Sequence, residues 1–474
     1  MGIRSGNDGL FYFQSGVGGD DCIFRDEMSS EIIYHENRIN KGKDENMYMK
    51  SDKERYLIKK LPGFPKEQTF LTVQRLIFLI RSVFLPEGFP DSVHPDYVPY
   101  QIWDTVQAFA STILGTLTTH SILIGVGVGE STATPLAATI SWILKDGAGM
   151  IGRILFAWWN GSQLDAQCKK WRIFADVLND IAMGIELLLP YFSKTSTTFI
   201  LCATTSMKSI VGVAGGATRA ALTQHQALNN NLADVSAKDG SQETFVNLVA
   251  SFVGIFILNS LHDSVTGGFL LYIVLVIIHV YANYSAVRAL RFNSLNEDRL
   301  ALLLHNYARY GRILEVEECN KIESLLLLEQ PFKRYCGFKI KLGVSLATIL
   351  GQKTVTIDDI STLSTHFHNK KFIIIPDADH RRIYVGLNAD AGQTDILQAY
   401  YESFLHGIRI DSSLSVSNRK KSDNQEIIKS IVANGANVSA GFQSWYELLN
   451  QSGWNRETSL LPIGEWRARW VKLT

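Results

Sequence analysis

The stretch SWILKDGAGMIGRILFAWWNGSQLDAQCKKWRIFADVLND, residues 141–180, places two apolar segments on either side of a short polar loop. Charged side chains occur inside both segments, namely Lys145, Asp146 and Arg153 in the first and Asp176 and Asp180 in the second. In a bilayer each such charge costs roughly 2.5–3.5 kcal/mol, so it should face protein or water. In a soluble helical protein the same charges would simply be solvated, and the rest of the chain decides between these interpretations.

Helical spacing pairs these charges. Asp146 and Arg153 are seven residues apart, so a rotation of about 100° per residue returns them to nearly the same helix face. Asp176 and Asp180 are four residues apart and share a face, with Arg172 one turn before them. The pattern predicts that these groups face one another, or other polar groups, inside the protein.

Composition excludes several classes of function. The 474 residues carry 46 basic and 46 acidic side chains, so there is no basic surface of the kind that nucleic acid requires. The five cysteines are scattered without a CxxC spacing, which argues against a zinc site or a disulfide framework. The histidines show no metal-ligand spacing, and no nucleophile–base arrangement stands out. We therefore expect no metal, no cofactor and no enzymatic activity.

Six apolar segments follow one another through the middle of the chain, and six in series are hard to reconcile with a soluble core. The predicted spans are residues 105–129, 131–159, 173–191, 196–222, 244–262 and 265–287. Basic residues collect in the loops after the second, fourth and sixth spans, which predicts that these loops and both termini share the cytoplasmic side. The expected location is a membrane, crossed several times, in an organelle that the sequence leaves open.

The predicted fold class is mostly α, with a polytopic bundle of about six spans followed by a small soluble α+β domain. Residues 1–66 are polar and read as disordered, 67–300 as the membrane domain, 301–336 as a helical connector and 337–474 as the α+β domain. In the last part, KKFIIIPD and RRIYVGLN predict a hairpin, TDILQAYYESFLHGI and NQEIIKSIVANGA predict helices, and EWRARWVKL predicts a late strand.

Two polar loops on the predicted cytoplasmic side have related spacing. The loop from Gly161 to Lys170 is similar to the G-x-x-x-D-x-x-x-basic-basic loop of major facilitator transporters, where an aspartate and basic residues hold a gate closed. A partial echo around Asp234 and Lys238 makes Asp165, Asp234 and Lys238 a candidate cytoplasmic gate. The alternative is a plain polar turn with a helix-capping aspartate.

A candidate polar path inside the membrane consists of Lys145, Asp146, Arg153, Asp176, Asp180, Lys208 and Arg219. These residues would either line a path for an anion or simply pair with one another and with Glu186. Two glycine-rich stretches, 125–129 and 212–222, lack a phosphate-loop pattern and indicate close helix packing instead.

Several long stretches resemble the root UVB-sensitive (RUS) family: FLPEGFPDSVHPDYVPYQIWDTVQAFAST, ISWILKDGAGMIGRILFAWWNGSQLDAQCKKWRIFADVLNDIAM, GVAGGATRAALTQHQALNNNLADVSAKDGSQETFVNL and HVYANYSAVRAL. The resemblance runs from about Phe84 to Leu300. The ending GWNRETSLLPIGEWRARWVKL resembles the tail of the animal RUS family member 1 proteins. The resemblance implies a link to pyridoxal phosphate homeostasis and carries over no catalytic residues.

The expected function is a transporter or carrier for a small polar or anionic solute, with pyridoxal-type compounds as candidates. The alternative is a membrane scaffold that recruits a protein partner through its C-terminal domain. A transporter should need its intramembrane charges, whereas a scaffold should tolerate their neutral replacement. The expected partners are the lipid bilayer, the solute and that protein, and no nucleic acid.

Overall fold

The structure is a computed structural model that describes residues 11–14, 21–24, 31–37, 45–50, 56–60, 68–127, 135–261, 264–417 and 424–470. The chain divides into two compact units, residues 1–91 and 92–474, and each is described by itself. Residues 128–134 and His262, which the sequence analysis assigns to predicted spans or their connection, lie outside the described residues.

The first unit contains an antiparallel sheet and one helix. The strands are β1 (Phe11–Gln14), β2 (Asp21–Phe24), β3 (Glu31–Asn37), β4 (Glu45–Lys50) and β5 (Tyr56–Lys60), in the order β2-β1-β5-β4-β3, followed by helix α1 (Gln68–Phe84). These strands lie within residues 1–66, the range that was predicted to be disordered from its polar composition. Short runs of aromatic, β-branched and methionine side chains, such as EIIYHEN and ENMYMK, suffice for strand pairing although the segment as a whole is polar.

The second unit opens with long helices. They are α2 (Tyr97–Gly125), α3 (Pro135–Asn160), α4 (Cys168–Leu187), α5 (Lys194–Gln226), α6 (Leu232–Leu261) and α7 (Val265–Ala289). Short 3-10 turns, Gly161–Gln163 and Leu189–Tyr191, follow α3 and α4. In their described residues all six predicted segments are thus largely helical, although α2 begins at Tyr97 rather than residue 105, and α6 at Leu232 rather than residue 244.

Four helices in the described part of the chain are long and apolar enough to cross a membrane: Tyr97–Gly125, Ser196–Gln226, Leu232–Leu261 and Val265–Ala289. They match the first, fourth, fifth and sixth predicted spans. Helices α3 and α4, the second and third predicted spans, do not join this set, because the charges within them lower their mean hydropathy. A bundle of six spans is therefore not confirmed.

A compact apolar cluster holds four of the six long helices together. It combines side chains of α2, α4, α6 and α7: Ala110, Ile113, Leu114, Leu117, Met183, Ala250 and Leu275. Small residues permit the close approach of the helices, since a Cβ atom at Gly254 of α6 would lie 2.8 Å from the Thr116 Oγ1 atom of α2.

The glycine-rich stretch of α5 behaves differently from the prediction of close packing. A Cβ atom at Gly215 or Gly216 would meet nothing within 4 Å. The close contacts to α5 come from α3, where a Cβ atom at Gly149 would lie 2.7 Å from the Ser209 Oγ atom. Glycine content alone does not show which residues face a neighbouring helix, because that depends on helix rotation.

The chain then continues through shorter elements. They are α8 (Glu297–Tyr310), α9 (Val316–Ile322), α10 (Pro331–Cys336), β6 (Lys339–Leu342), α11 (Leu346–Leu350), α12 (Ile357–His366), β7 (Phe372–Asp377), β8 (Arg382–Leu387), α13 (Gln393–Ser417), α14 (Asn424–Ala440) and α15 (Phe442–Gln451). The sheet order is β6-β8-β7, with β7 and β8 antiparallel and β6 parallel to β8. The predicted hairpin and both predicted helices are confirmed.

The predicted late strand EWRARWVKL is not a strand in its described residues, 465–470. Within them Ala468 forms an isolated bridge with Asn388. The preceding segment crosses close to Gly343, where a Cβ atom at Gly464 would clash with the Gly343 carbonyl oxygen. The described residues of this segment therefore form a single bridge instead of a continuous ladder.

One hydrophobic core serves this whole part of the chain. It runs from Leu295 to Leu461 and includes Leu303 of α8 and Phe332 of α10 together with strand residues such as Ile374. The range 301–336, predicted as a connector, therefore contributes to the same core as the α+β elements that follow it.

Candidate functional site

A chain of buried polar side chains joins α2, α4 and α7. At its first end, a guanidinium nitrogen of Arg172 lies 2.8 Å from the Asp104 Oδ1 atom, and its Nε atom lies 4.0 Å from the Asp176 Oδ2 atom. The Tyr100 hydroxyl also donates to Asp104 Oδ1, at 3.2 Å. One guanidinium therefore holds two carboxylates that belong to different helices.

This row of polar side chains continues to His279, near the middle of α7. The Nε2 atom of Gln107 lies 2.8 Å from Nε2 of His279 and donates to Asp176 Oδ2 at 3.4 Å. The Nδ1 atom of His279 lies 2.9 Å from Asp180 Oδ2, and the Tyr272 hydroxyl donates to the Asp180 carbonyl oxygen at 2.8 Å. The histidine and Asp180 side chains are 0% and 4% exposed, so water does not screen their interaction.

The polar chain is short of positive charge. It contains three carboxylates, on Asp104, Asp176 and Asp180, against one guanidinium and one imidazole. In addition, Oδ1 of Asp180 and Nε of Arg172 are buried without a hydrogen-bond partner in the described structure. Buried unsatisfied groups of this kind are costly in a protein interior and are frequent at functional sites.

The structure separates the predicted polar path into groups. Asp176 and Asp180 belong to the chain just described. The Lys208 ammonium on α5 lies 2.5 Å from a carboxylate oxygen of Glu186 on α4. Arg219 lies 2.5 Å from both Asp239 and Glu243 on α6. The charges of Lys208 and Arg219 are therefore already balanced by carboxylates of the protein itself, outside the row of polar side chains.

The three charges of α3 lie apart from these pairs. The Lys145 ammonium is 3.6 Å from Asp146 Oδ1 and 3.8 Å from the centre of the Trp142 ring. The side chain of Asp146 is 51% exposed. Arg153 is exposed and reaches α5, since a Cβ atom at Gly212 would lie 3.6 Å from its guanidinium. Asp146 thus contacts its sequence neighbour Lys145, and the predicted pairing with Arg153 is not what the contacts show.

The predicted gate residues lie in the turn before α4 and in the first turns of α6. Asp165 is exposed and does not cap α4, whose N-cap residue is Gln167. Asp234 and Lys238 are partly buried in α6, with Asp234 in its first turn, where a negative charge favours the helix. The basic pair that should close such a gate, Lys169 and Lys170, is buried and directed at the C-terminal part of the chain.

Lys169 lies at the centre of a buried cluster. Its ammonium donates to the Leu290 carbonyl oxygen at 2.9 Å and to Asn320 Oδ1 at 2.7 Å, and it lies 2.5 Å from Glu323 Oε1. The Nε atom of Arg299 lies 3.2 Å from the other oxygen of Glu323. Burial by itself would raise the pKa of Glu323, but the charges of Arg299 and Lys169 outweigh burial and hold that pKa below its usual value.

Lys170 forms a second buried pair beside it, with its ammonium 2.7 Å from Asp298 Oδ2. Here burial dominates over the lysine charge, and the pKa of Asp298 is raised. The two adjacent lysines therefore join the first turn of α4 to α8 and to the segment after α9. No feature of the sequence alone connects positions so far apart.

A third group could hold a metal ion. The Nδ1 atom of His94 lies 2.8 Å from Asp96 Oδ1, and Nε2 of His225 lies 2.8 Å from Asp96 Oδ2, with all candidate ligand atoms within 4.8 Å of one another. Two imidazoles and a carboxylate suit a first-row transition metal. The Arg291 backbone N–H also donates to Asp96 at 2.8 Å, so the group equally ties together the ends of three helices. The histidine spacing gave no sign of this grouping.

One cavity, of about 190 Å³, lies at the opposite end of α2. Its lining comes from α2, α6, α7 and the turn after α4, and includes His120, Ser121, Tyr191, Leu258 and Phe269. This lining is mainly apolar and contains none of the residues of the predicted path.

Sequence reasoning missed Asp104, Gln107 and His279 as members of the site. A signal was present for two of them, since Asp104 and Gln107 are three residues apart in an apolar helix and so share a face. His279 interrupts an apolar run of α7, and such an isolated polar residue inside a candidate span is a reason to look for a partner.

Comparisons with known proteins cover nearly the whole described bundle and C-terminal part. Residues 72–311 match the family model "Vitamin B6 photo-protection and homoeostasis domain", and residues 312–470 match "Root UVB sensitive protein, C-terminal". No solved structure matches the chain.

Curated relatives give the same result. The chain is 34% identical to protein root UVB sensitive 3 of Arabidopsis thaliana over 404 residues, 83% of this chain and 87% of the relative. It is 46% identical to RUS family member 1 of Dictyostelium discoideum over 272 residues, 56% of this chain and 50% of the relative. The resemblance inferred from the sequence is thus confirmed, and the chain belongs to the root UVB-sensitive family.

Proposed function

We propose that this chain is a non-enzymatic carrier that crosses the membrane several times and moves a small polar solute of the vitamin B6 class. The observation that carries the proposal is the buried polar chain of α2, α4 and α7, centred on Arg172, Asp176 and His279. The description of the matching family model supplies the class of solute.

Buried charges in a membrane bundle are energetically costly. Each charged side chain costs roughly 2.5–3.5 kcal/mol in a membrane-spanning helix, and replacing a buried ion pair by apolar residues is often neutral or stabilising. A bundle that served only as an anchor would be more stable without Asp104, Arg172 and Asp176. Intramembrane ionisable groups usually mark a path for a solute or an ion.

Surface composition supports contact with lipid. Helix α3 exposes large apolar side chains, with Trp158 and Trp159 at 83% and 79% exposure and Ile154 at 67%. An exposed apolar surface of this kind is typical of membrane or protein contact. Aromatic residues near a helix end also suit the membrane–water interface.

The paired charges refine the kind of solute. Lys208 and Arg219 have carboxylate partners of their own, so they create no requirement for an anion. The groups of the buried chain are hydrogen-bond donors and acceptors that suit the ring nitrogen, hydroxyl and aldehyde or alcohol groups of a vitamin B6 compound. A polar solute, with or without a phosphate group, fits these groups better than an obligate anion.

Ligand-induced stabilisation tests the proposal. Pyridoxine, pyridoxal and pyridoxal phosphate are added in turn to the detergent-purified protein while its melting temperature is followed. A ligand at about 100 times its Kd adds about 2.7 kcal/mol to the free energy of unfolding. Arg172→Gln should abolish the shift, and the matched control Arg312→Gln, at a 60% exposed side chain, should retain it. Absence of a shift with all three compounds would contradict the proposal.

A scaffold is the second candidate, favoured by a separate observation. Leu326 and Leu328, in the segment after α9, are 72% and 96% exposed. A partner protein could cover them. If the chain acts as a scaffold, Leu326→Ser with Leu328→Ser should abolish cellular function while Arg172→Gln leaves it intact; a carrier predicts the reverse.

A further inference from the structure

The hydrogen bonds around His279 fit one assignment of donors and acceptors. Nδ1 lies 2.9 Å from an oxygen of Asp180, where a hydrogen on Nδ1 is donated to the carboxylate. Nε2 faces the amide nitrogen of Gln107 at 2.8 Å, and an amide nitrogen can only donate, so Nε2 accepts. These contacts match a neutral imidazole with its hydrogen on Nδ1.

Adding a proton reverses one of these bonds. A proton on Nε2 of His279 turns that atom from an acceptor into a donor, and it then faces the donating amide nitrogen of Gln107. The amide must turn over so that its oxygen accepts the new N–H, and its nitrogen then leaves Asp176 Oδ2, which it now contacts at 3.4 Å. One proton at α7 thus changes the contacts between α2 and α4.

Ionisable groups of several helices lie around His279. The ionisable groups that face His279 are Asp176, Asp180 and Arg172 of α4. Next along the polar chain are Asp104 and Tyr100 of α2, and Tyr272 of α7 contacts Asp180. Asp239 and Glu243 of α6, which pair with Arg219 of α5, lie beyond Asp104. The central chain thus contains three carboxyl groups and one guanidinium. The Oδ1 atom of Asp180, buried and without a hydrogen-bond partner in the described structure, adds unmet accepting capacity.

We propose that the carrier is driven by protons and that His279, held by Asp180, is the group that binds the proton. This inference rests on the proposed function. In each cycle one proton from the acidic side binds Nε2 of His279 and Gln107 turns over. The proton leaves from the same atom on the other side, where the original bonds form again. Proton and solute therefore cross together, and no other group is consumed.

The test uses the full chain in proteoliposomes with the membrane potential clamped, and pyridoxine as an uncharged probe. If one proton accompanies each solute, an outside pH about one unit below the inside gives about a tenfold accumulation ratio. An uncoupler should reduce that ratio to about one. The ratio reports coupling whatever the rate, so a slow variant remains informative.

Two variants assign the proton to its residue. His279→Gln keeps a hydrogen-bonding side chain that cannot take up a proton, and its accumulation ratio should fall to about one. The matched control His305→Gln, on α8 and outside the polar chain, should keep the wild-type ratio. A pH-sensitive dye trapped inside wild-type vesicles gives a second readout that needs no variant: pyridoxine entry should acidify the lumen.

The outcomes separate this inference from the proposed function. Pyridoxine counterflow without accumulation in a pH gradient, or accumulation driven by sodium instead, would overturn proton coupling and leave the carrier intact. An unchanged accumulation ratio in His279→Gln would overturn the assignment to His279. Absence of counterflow for every vitamin B6 compound would overturn the carrier proposal and this inference together.

Discussion

The Nζ atom of Lys169 lies 2.5 Å from the Oε1 atom of Glu323, and the two side chains are only 4% and 3% exposed. Lys169 belongs to the region that matches the first family model, and Glu323 to the region that matches the second. The C-terminal part is therefore joined to the start of α4 through a buried charge. Helix α4 also carries Arg172, Asp176 and Asp180, so a shift at this junction would act on the helix that supplies the polar chain.

The junction predicts an order of mutational effects. Glu323→Gln should be more destabilising than Lys169→Met, because it leaves two cations, Lys169 and Arg299, without their carboxylate. Removing one partner of a buried pair costs about 3–5 kcal/mol. The double variant should cost less than the sum of the single changes. Lys321→Met, at an exposed pair with Glu317, should cost under about 1 kcal/mol.

Denaturant unfolding of the purified full chain measures these differences. Equal effects of Glu323→Gln and Lys321→Met, or strict additivity of the Lys169 and Glu323 changes, would show that the buried pair does not form.

Because of Asp96, the free energy of unfolding should decrease at acidic pH. Burial alone would raise its pKa, but hydrogen bonds from His225, His94 and the Arg291 backbone hold the pKa well below its ordinary value near 3.9. A carboxyl whose pKa is lowered by folding stabilises the protein above its ordinary pKa, and the stabilisation disappears as the pH falls below that value. Asp96→Asn should remove about 1.5–3 kcal/mol at neutral pH, the usual contribution of charged hydrogen bonds.

Melting curves at pH 7 and at a series of pH values from about 4 downwards, for wild type and Asp96→Asn, check this. The loss should be largest at pH 7 and shrink as the pH drops below about 4. Identical melting temperatures of the two proteins at pH 7 would contradict the account.

Two glycine-to-alanine changes should have opposite effects. A Cβ atom at Gly254 would lie 3.0 Å from the Thr116 Cβ atom, so Gly254→Ala forces α2 and α6 apart and should cost about 1–3 kcal/mol. A Cβ atom at Gly215 would meet nothing within 4 Å, so Gly215→Ala should stabilise α5 by about 0.5–1 kcal/mol. Unfolding of both variants in detergent measures the contrast, and a destabilised Gly215→Ala protein would place that face of α5 in a contact.

His406, in α13, predicts a pH effect in the C-terminal core. Its pKa is lowered to about 3, chiefly by burial, with nearby Arg409 and Lys370 acting in the same direction. Between the ordinary pKa and this lowered pKa, His406 is protonated in the unfolded chain and neutral in the folded chain. Stability should fall by up to about 1.4 kcal/mol per pH unit between pH 6.5 and 3, and this loss should be absent in His406→Leu. Melting temperatures of both proteins at pH 7.5 and 5 test this; equal pH dependence would refute it.

The sequence predicted the positions of the helices better than the side-chain contacts between them. Periodicity and charge-free runs located all six long helices, and Asp176 and Asp180 were recognised as facing the interior because four residues separate them. Gln107 and His279, their partners across the bundle, depend on the rotation of α2 and α7, which residue spacing within one helix does not encode. Lys169 and Glu323 are likewise united only by tertiary folding. Asp146 and Arg153 of α3 were expected to interact because they lie on nearly the same helix face. Asp146 contacts Lys145 instead.

The central claim, that the buried polar chain carries a vitamin B6 compound across a membrane, is tested most directly by counterflow. Proteoliposomes preloaded with unlabelled pyridoxine are diluted into labelled pyridoxine, and the initial rate of uptake is measured. The account predicts transient accumulation above that of protein-free vesicles, lowered at least about tenfold by Arg172→Gln, which corresponds to 1.4 kcal/mol, and unaffected by Arg312→Gln. Uptake equal to that of protein-free vesicles, with folded protein inserted and with pyridoxal and pyridoxal phosphate equally inactive, would contradict it.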